Sequence, residues 1–165
     1  MNYIQEEDRN LYLDTPLGPN KLLLNHLSGN EALSQLFSFN LALTANLALM
    51  AEPSTAFEKL IGQKISFGVQ GGFLGLNARH FDGIAVHVGQ VAQYDDFHEY
   101  EMTVAPKIWK LTRTYRSRIF QHITVPDILK KIFKGYKVDY QIVGTFEARN
   151  WRGTWLWSGG RITSG

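Results

Sequence analysis

The side chains best suited to chemistry in this sequence are five histidines and two pairs of acidic residues. No two histidines have a spacing typical of metal ligands; they are His26, His80, His87, His98 and His122. Asp95 with Asp96, and Glu99 with Glu101, could be read as paired carboxylates for acid–base catalysis. A hairpin turn explains the first pair better, and the solvent face of a strand explains the second. We therefore expect no metal site and no cofactor.

The sequence also lacks the motifs of common active sites. It has no nucleophile elbow, no phosphate-binding loop and no glycine fingerprint of dinucleotide-binding proteins. It has no cysteine, which excludes disulfides and thiol chemistry and fits synthesis in a reducing cytoplasm. We expect a structural protein that is not an enzyme.

A basic segment, residues 107–137, contains nine Lys or Arg and one acid, and most other acids precede residue 102. Such a segment is typical of a solvated surface, or of one that meets an acidic surface on another subunit. Its corner, residues 107–118, combines charged and aromatic side chains, which predicts a subunit contact. The predicted contact residues are Lys107, Trp109, Arg113, Arg116 and Arg118. The alternative is a solvated corner in which Trp109 is buried.

Residues 100–133 hold the elements that must position this corner. Tyr100, Met102 and Val104 alternate with polar residues, which is the pattern of a strand with one buried face. After the corner, Thr124 and Asp127 resemble a capping box and begin a helix. The apolar stripe of that helix consists of Val125, Ile128, Leu129, Ile132 and Phe133, and Gly135 ends it.

The rest of the chain reads mostly as strands. Strands are predicted around residues 11–13, 22–24, 37–44, 65–69, 84–88 and 138–142, with a hairpin between the first two and a break at 28–30. Ile84, Val86 and Val88 are predicted to share one face, and a second short helix is predicted over residues 53–61. These elements predict a mainly β (α+β) fold, an antiparallel β-barrel with two short helices.

Several segments of the sequence resemble the N-terminal part of VgrG proteins, the spike components of type VI secretion systems, which themselves resemble the hub of contractile phage baseplates. The segments are residues 11–18 (LYLDTPLG), 27–39 (LSGNEALSQLFSF), 60–63 (LIGQ), 79–84 (RHFDGI), 105–113 (APKIWKLTR), 117–121 (SRIFQ) and 125–129 (VPDIL). They occur in the order of the family and at about its spacings, and the resemblance extends from residue 11 to about 149.

The resemblance implies a barrel-rich domain that forms a homotrimer on a tube of secreted hexamers. It also implies that this region has no active site. The expected partners are other copies of the chain and the tube protein, not nucleic acid, and this chain would not insert into a membrane by itself. The N-terminus has acids where a signal peptide needs basic and apolar residues, so we expect cytoplasmic synthesis, and the resemblance implies export as part of the spike.

The sequence departs from the family pattern after residue 149. Residues 150–165 are rich in tryptophan and glycine, with Trp151, Trp155 and Trp157 close together and without a clear helical or strand period. We therefore expect a hub-like domain at 1–149 and a divergent tail at 150–165. A truncation or frameshift that removed the second barrel and the needle would explain the departure.

Two other classes of protein remain open from the residues alone. A small-ligand barrel, such as a flavin-binding split barrel, would need convergent polar groups at a barrel mouth, whereas the alternating apolar faces here predict a filled interior. A nucleic-acid-binding module would use residues 107–137, although no zinc finger, helix-turn-helix or aromatic RNA-binding signature occurs there.

Overall fold

The computed structural model describes residues 10–46, 58–70, 77–95, 97–136, 138–147, 155–158 and 161–164. The chain divides into two compact units, residues 1–106 and residues 107–165. The strands of the first unit are β1 (Leu11–Asp14), β2 (Leu23–Asn30), β3 (Ser38–Asn46), β4 (Lys64–Val69), β5 (Arg79–Gln93) and β6 (Phe97–Ala105). The elements of the second unit are α1 (Trp109–Thr112), β7 (Arg118–Phe120), α2 (Val125–Phe133), β8 (Trp155–Ser158) and β9 (Arg161–Ser164).

The first unit is one antiparallel sheet in the order β1-β4-β5-β6-β3-β2. Its two edge strands, β1 and β2, come close to each other, so the sheet curls into a nearly closed barrel. The predicted mainly β fold with an antiparallel barrel is therefore confirmed. Residues 58–60 of the short helix predicted over residues 53–61 are helical and residue 61 is not, whereas residues 53–57 lie outside the described residues.

Side chains of alternate residues on neighbouring strands fill the barrel. Leu41 and Leu43 on β3 lie opposite Met102 and Tyr100 on β6, and all four are almost completely buried. Three aromatic rings complete one side of the core, with centroids 4.5 to 5.5 Å apart; they belong to Phe39, Phe67 and Phe81. This packing confirms the strands predicted over residues 37–44 and 100–104, because one face of each is apolar.

The predicted hairpin between β1 and β2 is wrong. β1 pairs with β4, which places Leu13 opposite Phe67, and β2 pairs with β3 instead. The predicted break at residues 28–30 is also wrong, since β2 continues to Asn30. Gly29 allows this continuation because a Cβ at this position would overlap the ring of Phe39.

The expectation that Ile84, Val86 and Val88 share a face is wrong as well. Ala85 pairs with Val104, and His87 pairs with Thr103, so Val86 is the extra residue of a β-bulge. A bulge reverses the alternation of faces along a strand. As a result, Ala85 before the bulge and Val88 after it both pack against the barrel core.

The second unit has its own small core around α2. Thr124 caps this helix, since its hydroxyl oxygen accepts a hydrogen bond from the backbone N–H of Asp127 at 3.3 Å. Ile128 and Ile132 are buried with Leu111 and Phe120. The predicted helix is therefore confirmed at both its start and its apolar face.

The predicted strand at residues 138–142 is wrong, because residues 138–147 contain neither helix nor strand and are mostly exposed. Instead, β7, β8 and β9 form an antiparallel sheet in that order. Trp155 and Trp157 lie on β8, where no clear strand period was seen in the sequence, while Trp151 lies outside the described residues.

Candidate assembly surface

The histidines do not converge on a site. Among the described residues, no group of three or more histidines and acids could hold a metal ion. His98 is buried in the barrel, with Nδ1 3.0 Å from the Tyr100 hydroxyl, whereas Nε2 of His87 lies 3.4 Å from Glu101 on the exposed surface. Glu101 therefore belongs to an exposed ion pair when His87 is protonated.

One polar cluster on β1, β4 and β5 has the chain of contacts that a catalytic relay would need. The hydroxyl of Tyr12 hydrogen-bonds Nδ1 of His80, whose Nε2 lies 3.4 Å from a carboxylate oxygen of Asp82. The hydroxyl of Ser66 donates to the same carboxylate, and Lys64 Nζ lies 3.2 Å from it. No prediction from sequence singled out this cluster, because Tyr12 on β1, the residues of β4 and those of β5 are brought together only through strand pairing.

The electrostatics of this cluster favour a structural role. Partial burial, and secondarily the Asp82 carboxylate, raise the pKa of Tyr12, so its phenol is a poorer nucleophile than an ordinary tyrosine. The hydrogen bond from Ser66 lowers the pKa of Asp82, against a smaller opposing effect of burial, and Lys64 lowers it further. Asp82 is thus a carboxylate held by cross-strand partners, which ties β4 to β5.

The predicted contact residues lie on α1, on β7 and in the segments next to them. Lys107 is exposed, and its carbonyl accepts the backbone N–H of Lys110 at 3.3 Å just before α1 begins. Trp109 is half-buried at the first position of α1, and Arg113 follows the end of that helix. The Cζ atom of Arg113 lies 4.5 Å from the centroid of the Trp109 ring, a cation–π geometry. The structure therefore brings these two predicted residues together.

Arg116 and Arg118 lie beyond α1, in a segment that also exposes large apolar side chains. Tyr115 is 81% exposed and Ile119 is 67% exposed. On β7 only Phe120 is buried, and Ile119 faces away from the core, because successive residues of a strand face opposite sides. Arginine and tyrosine exposed together are the residue types that dominate the centres of protein interfaces.

A cleft of about 400 Å³ opens beside this segment within the second unit. Its apolar part is formed by Leu111 and Ile132. Its polar part carries three cationic side chains, those of Arg116, Arg118 and Lys131, and no acid. Thr114, Gly135 and Tyr136 complete the lining. Of the predicted contact residues, the structure places Arg116 and Arg118 in this cleft, whereas Lys107, Trp109 and Arg113 do not line it.

Lys131 and Tyr136 were missed as members of the surface. Lys131 lies in the last turn of α2, where a cation also suits the helix dipole. The sequence did contain an indication of this place, because Lys131 adjoins Ile132 of the apolar stripe. Lys131 therefore lies at the border between the buried and solvated faces of α2. That border position places an exposed cation next to an apolar floor.

The two units carry opposite charges. Residues 1–106 contain five Lys or Arg and twelve Asp or Glu, a formal charge of −7. Residues 107–165 contain twelve Lys or Arg and three Asp or Glu, a formal charge of +9. The overall charge of +2 therefore conceals an acidic barrel unit and a basic second unit.

The family described as "Phage tail baseplate hub (GPD)" matches residues 30–152 of this chain. The type VI secretion system spike protein VgrG1a of Pseudomonas aeruginosa is 36% identical over 145 residues, which are 87% of this chain and 21% of that protein. The spike protein VgrG1c of the same bacterium is 36% identical over 129 residues, which are 78% of this chain and 17% of that protein. The chain thus spans only about a fifth of the length of these curated relatives.

A solved structure has the same fold. It is the c3393 protein of E. coli, described as a component of the type VI secretion system with structural similarity to the T4 bacteriophage tail proteins gp27 and gp5. The match has a TM-score of 0.66 at 20% identity and covers 92% of this chain and 40% of the other. None of the helices in the described part of this chain is long and apolar enough to span a bilayer.

Proposed function

Since the chain belongs to the phage tail baseplate hub family, we propose that it forms part of the base of a type VI secretion spike and assembles there as a homotrimer on the tube of secreted hexamers. The observation that carries this proposal is the family match over residues 30–152, which includes most of a nearly closed antiparallel barrel. The relatives with this segment are spike proteins by name.

The role proposed for the chain is mechanical and not enzymatic. Its most relay-like cluster, Tyr12 with His80 and Asp82, has a phenol whose pKa is raised, which is the wrong direction for a nucleophile. The barrel interior is filled by apolar side chains such as Leu41, Met102 and Phe67, which supports a rigid scaffold over a ligand-binding barrel.

Trimer assembly is supported by the surface of the second unit. Its corner combines the Trp109–Arg113 pair with Arg116, Arg118 and the exposed Tyr115, and this composition suits an interface that excludes water at its centre. We assign the subunit contact to the residues predicted for it: Lys107, Trp109, Arg113, Arg116 and Arg118. A head-to-tail contact of this kind generates a closed ring when its rotation closes.

The remaining parts of the proposal concern partners and location. The barrel would rest on the tube protein, and the chain would leave the cell with the spike after synthesis in the cytoplasm; it would use neither nucleic acid nor membrane insertion of its own. The boundary between a hub-like domain at 1–149 and a tail at 150–165 falls among residues 148–154, which lie outside the described residues. This domain boundary therefore stays a prediction.

Electron microscopy of tube ends tests the proposal. The purified chain would be added to tubes assembled from the secreted tube protein of the same bacterium, and the tube ends would be imaged with and without it. The proposal predicts a cap with threefold symmetry at one end of the tubes. Bare ends at a saturating concentration of the chain, with correctly assembled tubes, would contradict it.

A further inference from the structure

We propose that the basic cleft of the second unit receives the acidic tip of the β5–β6 hairpin from a second copy of the chain. This proposal rests on the assembly proposed above and names its contact. The cleft offers Arg116, Arg118 and Lys131 above an apolar floor of Leu111 and Ile132. Its volume of about 400 Å³ lies in the range of clefts, about 300–1,000 Å³, that enclose a ligand.

The chemistry of the cleft selects a carboxylate next to an apolar or aromatic group. Two guanidinium groups and an ammonium favour an anion, and guanidinium pairs with carboxylate through two parallel hydrogen bonds. The hydroxyl groups of Thr114 and Tyr136, 3.5 Å apart, add polar groups to the lining. A group that covers the apolar floor of Leu111 and Ile132 would displace water from it, which would strengthen the attraction between opposite charges at its edge.

The hairpin tip of the barrel unit has the matching chemistry. The turn is tight, since the backbone N–H of Tyr94 donates to the carbonyl of Phe97 at 2.9 Å. Tyr94 stacks on Phe97 with centroids 4.6 Å apart, yet it remains 49% exposed. Asp95 is exposed beside it and forms no ion pair with any residue that the structure describes. An exposed aromatic ring and an exposed carboxylate thus lie on adjacent residues of this turn.

The strand pairing at the end of β5 also supports the β5–β6 tip as the group that enters the cleft. β4 pairs with β5 only up to Ile84, so in the described part of the chain the last residues of β5 have a strand neighbour only in β6. A second bulge places Val91 out of register and leaves it 62% exposed. The β5–β6 tip therefore presents apolar surface as well as charge, and exposed apolar groups around a charge are typical of buried contacts between chains.

A second copy of the chain is the occupant because each copy carries both halves of the contact. The barrel unit has a formal charge of −7 and the second unit has +9, so the acidic part of one copy is complementary to the basic part of the next. Such a contact is heterologous, since different surfaces meet, and repetition of it produces a ring. The proposed trimer needs a contact of this type.

Crosslinking between single-cysteine chains tests the contact directly, because the natural sequence has no cysteine. One batch carries Asp95→Cys and the other Arg116→Cys, and the two are mixed and treated with a short bis-maleimide. A linker is needed because an ion pair of long side chains holds the two Cα atoms farther apart than the roughly 7 Å that a disulfide can span. Only a contact between copies can produce the mixed product.

The matched control replaces Asp95→Cys by Glu31→Cys, an exposed acid of the same unit that is paired with Arg79 at 2.6 Å. The proposal predicts that the Asp95–Arg116 mixture yields at least about tenfold more crosslinked product than the Glu31–Arg116 mixture. Equal yields from the two mixtures would overturn it.

Charge reversal provides the second measurement. Arg116→Glu with Arg118→Glu should weaken self-association at least about tenfold, and Asp95→Lys added to the same chain should restore much of it, because every contact of a ring of identical copies then has its charges exchanged. A trimer that is unaffected by both reversals would overturn this contact and leave the proposed hub function intact. A chain that caps no tubes and never associates would overturn both proposals, so the two failures are distinguishable.

Discussion

The guanidinium group of Arg113 lies over the indole ring of Trp109, with 4.5 Å between Cζ and the ring centroid. This contact joins the first residue of α1 to the residue that follows its last turn. Because α1 is only four residues long, it cannot be stable through its own hydrogen bonds. The cation–π contact and the burial of Leu111 therefore hold the corner in place.

Loss of the Arg113 side chain should loosen this corner. We predict that Arg113→Ala lowers the free energy of unfolding by about 0.5–1 kcal/mol, the range for an exposed cation–π pair. Urea denaturation followed by tryptophan fluorescence measures the change. Arg116→Ala is the matched control, since Arg116 is also exposed but no ring contact of its own is found among the described residues, and it should change stability by less than about 0.5 kcal/mol. Equal effects of the two substitutions would contradict the role given to the ring contact.

Gly29 should not tolerate a side chain. A Cβ there would overlap the Phe39 ring and lie 2.5 Å from the carbonyl oxygen of Ser38. Gly29→Ala should therefore destabilise the barrel by about 1–3 kcal/mol through overpacking. Gly135→Ala is the control, because a Cβ at Gly135 meets nothing within 4 Å. Thermal unfolding of both variants would show a lower midpoint for the first only, and an unchanged midpoint for Gly29→Ala would refute the close packing of β2 on β3.

Asp82 should make folding sensitive to acid. Its pKa is lowered mainly by the Ser66 hydrogen bond, so its folded-state pKa is below the unfolded value of about 3.9. The carboxylate therefore stabilises the fold above about pH 4, and this stabilisation is lost as the pH falls through the folded-state pKa. We predict that Asp82→Asn flattens the dependence of unfolding free energy on pH in this acidic range. The effect is small, because the side chain is 47% exposed.

Ser66→Ala tests the cause given for the Asp82 shift. This variant removes the main hydrogen bond and keeps the carboxylate, so it should reproduce part of the flattening seen with Asp82→Asn. Urea denaturation at several pH values between about 3 and 7 gives both profiles. Parallel profiles for the natural chain and both variants would show that this cluster does not couple β4 to β5.

Thr124 should be the residue that fixes the start of α2. Thr124→Ala removes the acceptor for the Asp127 N–H and should destabilise the second unit by about 1 kcal/mol. Thr124→Ser keeps the hydroxyl oxygen and should retain most of the stability. Circular dichroism during urea denaturation measures both variants. If the serine variant loses as much stability as the alanine variant, the cap at Thr124 is not what stabilises the start of α2.

Local patterns predicted the elements whose signals lie within a few residues of one another. The cap at Thr124 and the apolar stripe through Ile128 and Ile132 are such signals, and the structure has the helix they predict. The alternation through Tyr100, Met102 and Val104 predicted β6 in the same way. These patterns succeed because capping and alternate burial depend on neighbours in the chain.

Pairing partners and bulges could not be predicted in this way. β1 and β2 are separated by a turn-rich segment, yet β1 pairs with β4 because that register buries Leu13 against the strand of Phe67. The extra residue at Val86 is defined only by its position opposite β6, and no feature of a single strand indicates it. The cleft was missed for the same reason, since Arg116 and Lys131 are 15 residues apart and meet through packing.

Light scattering on the purified chain, over about a hundredfold range of concentration, tests the central claim most directly, because a closed ring has a defined stoichiometry. The account predicts a constant mass of three times the 18.8 kDa of one chain at low salt. It also predicts that added salt dissociates this species, since opposite charges form the contact. A mass of one chain at every concentration, or aggregates of no fixed size, would contradict the account.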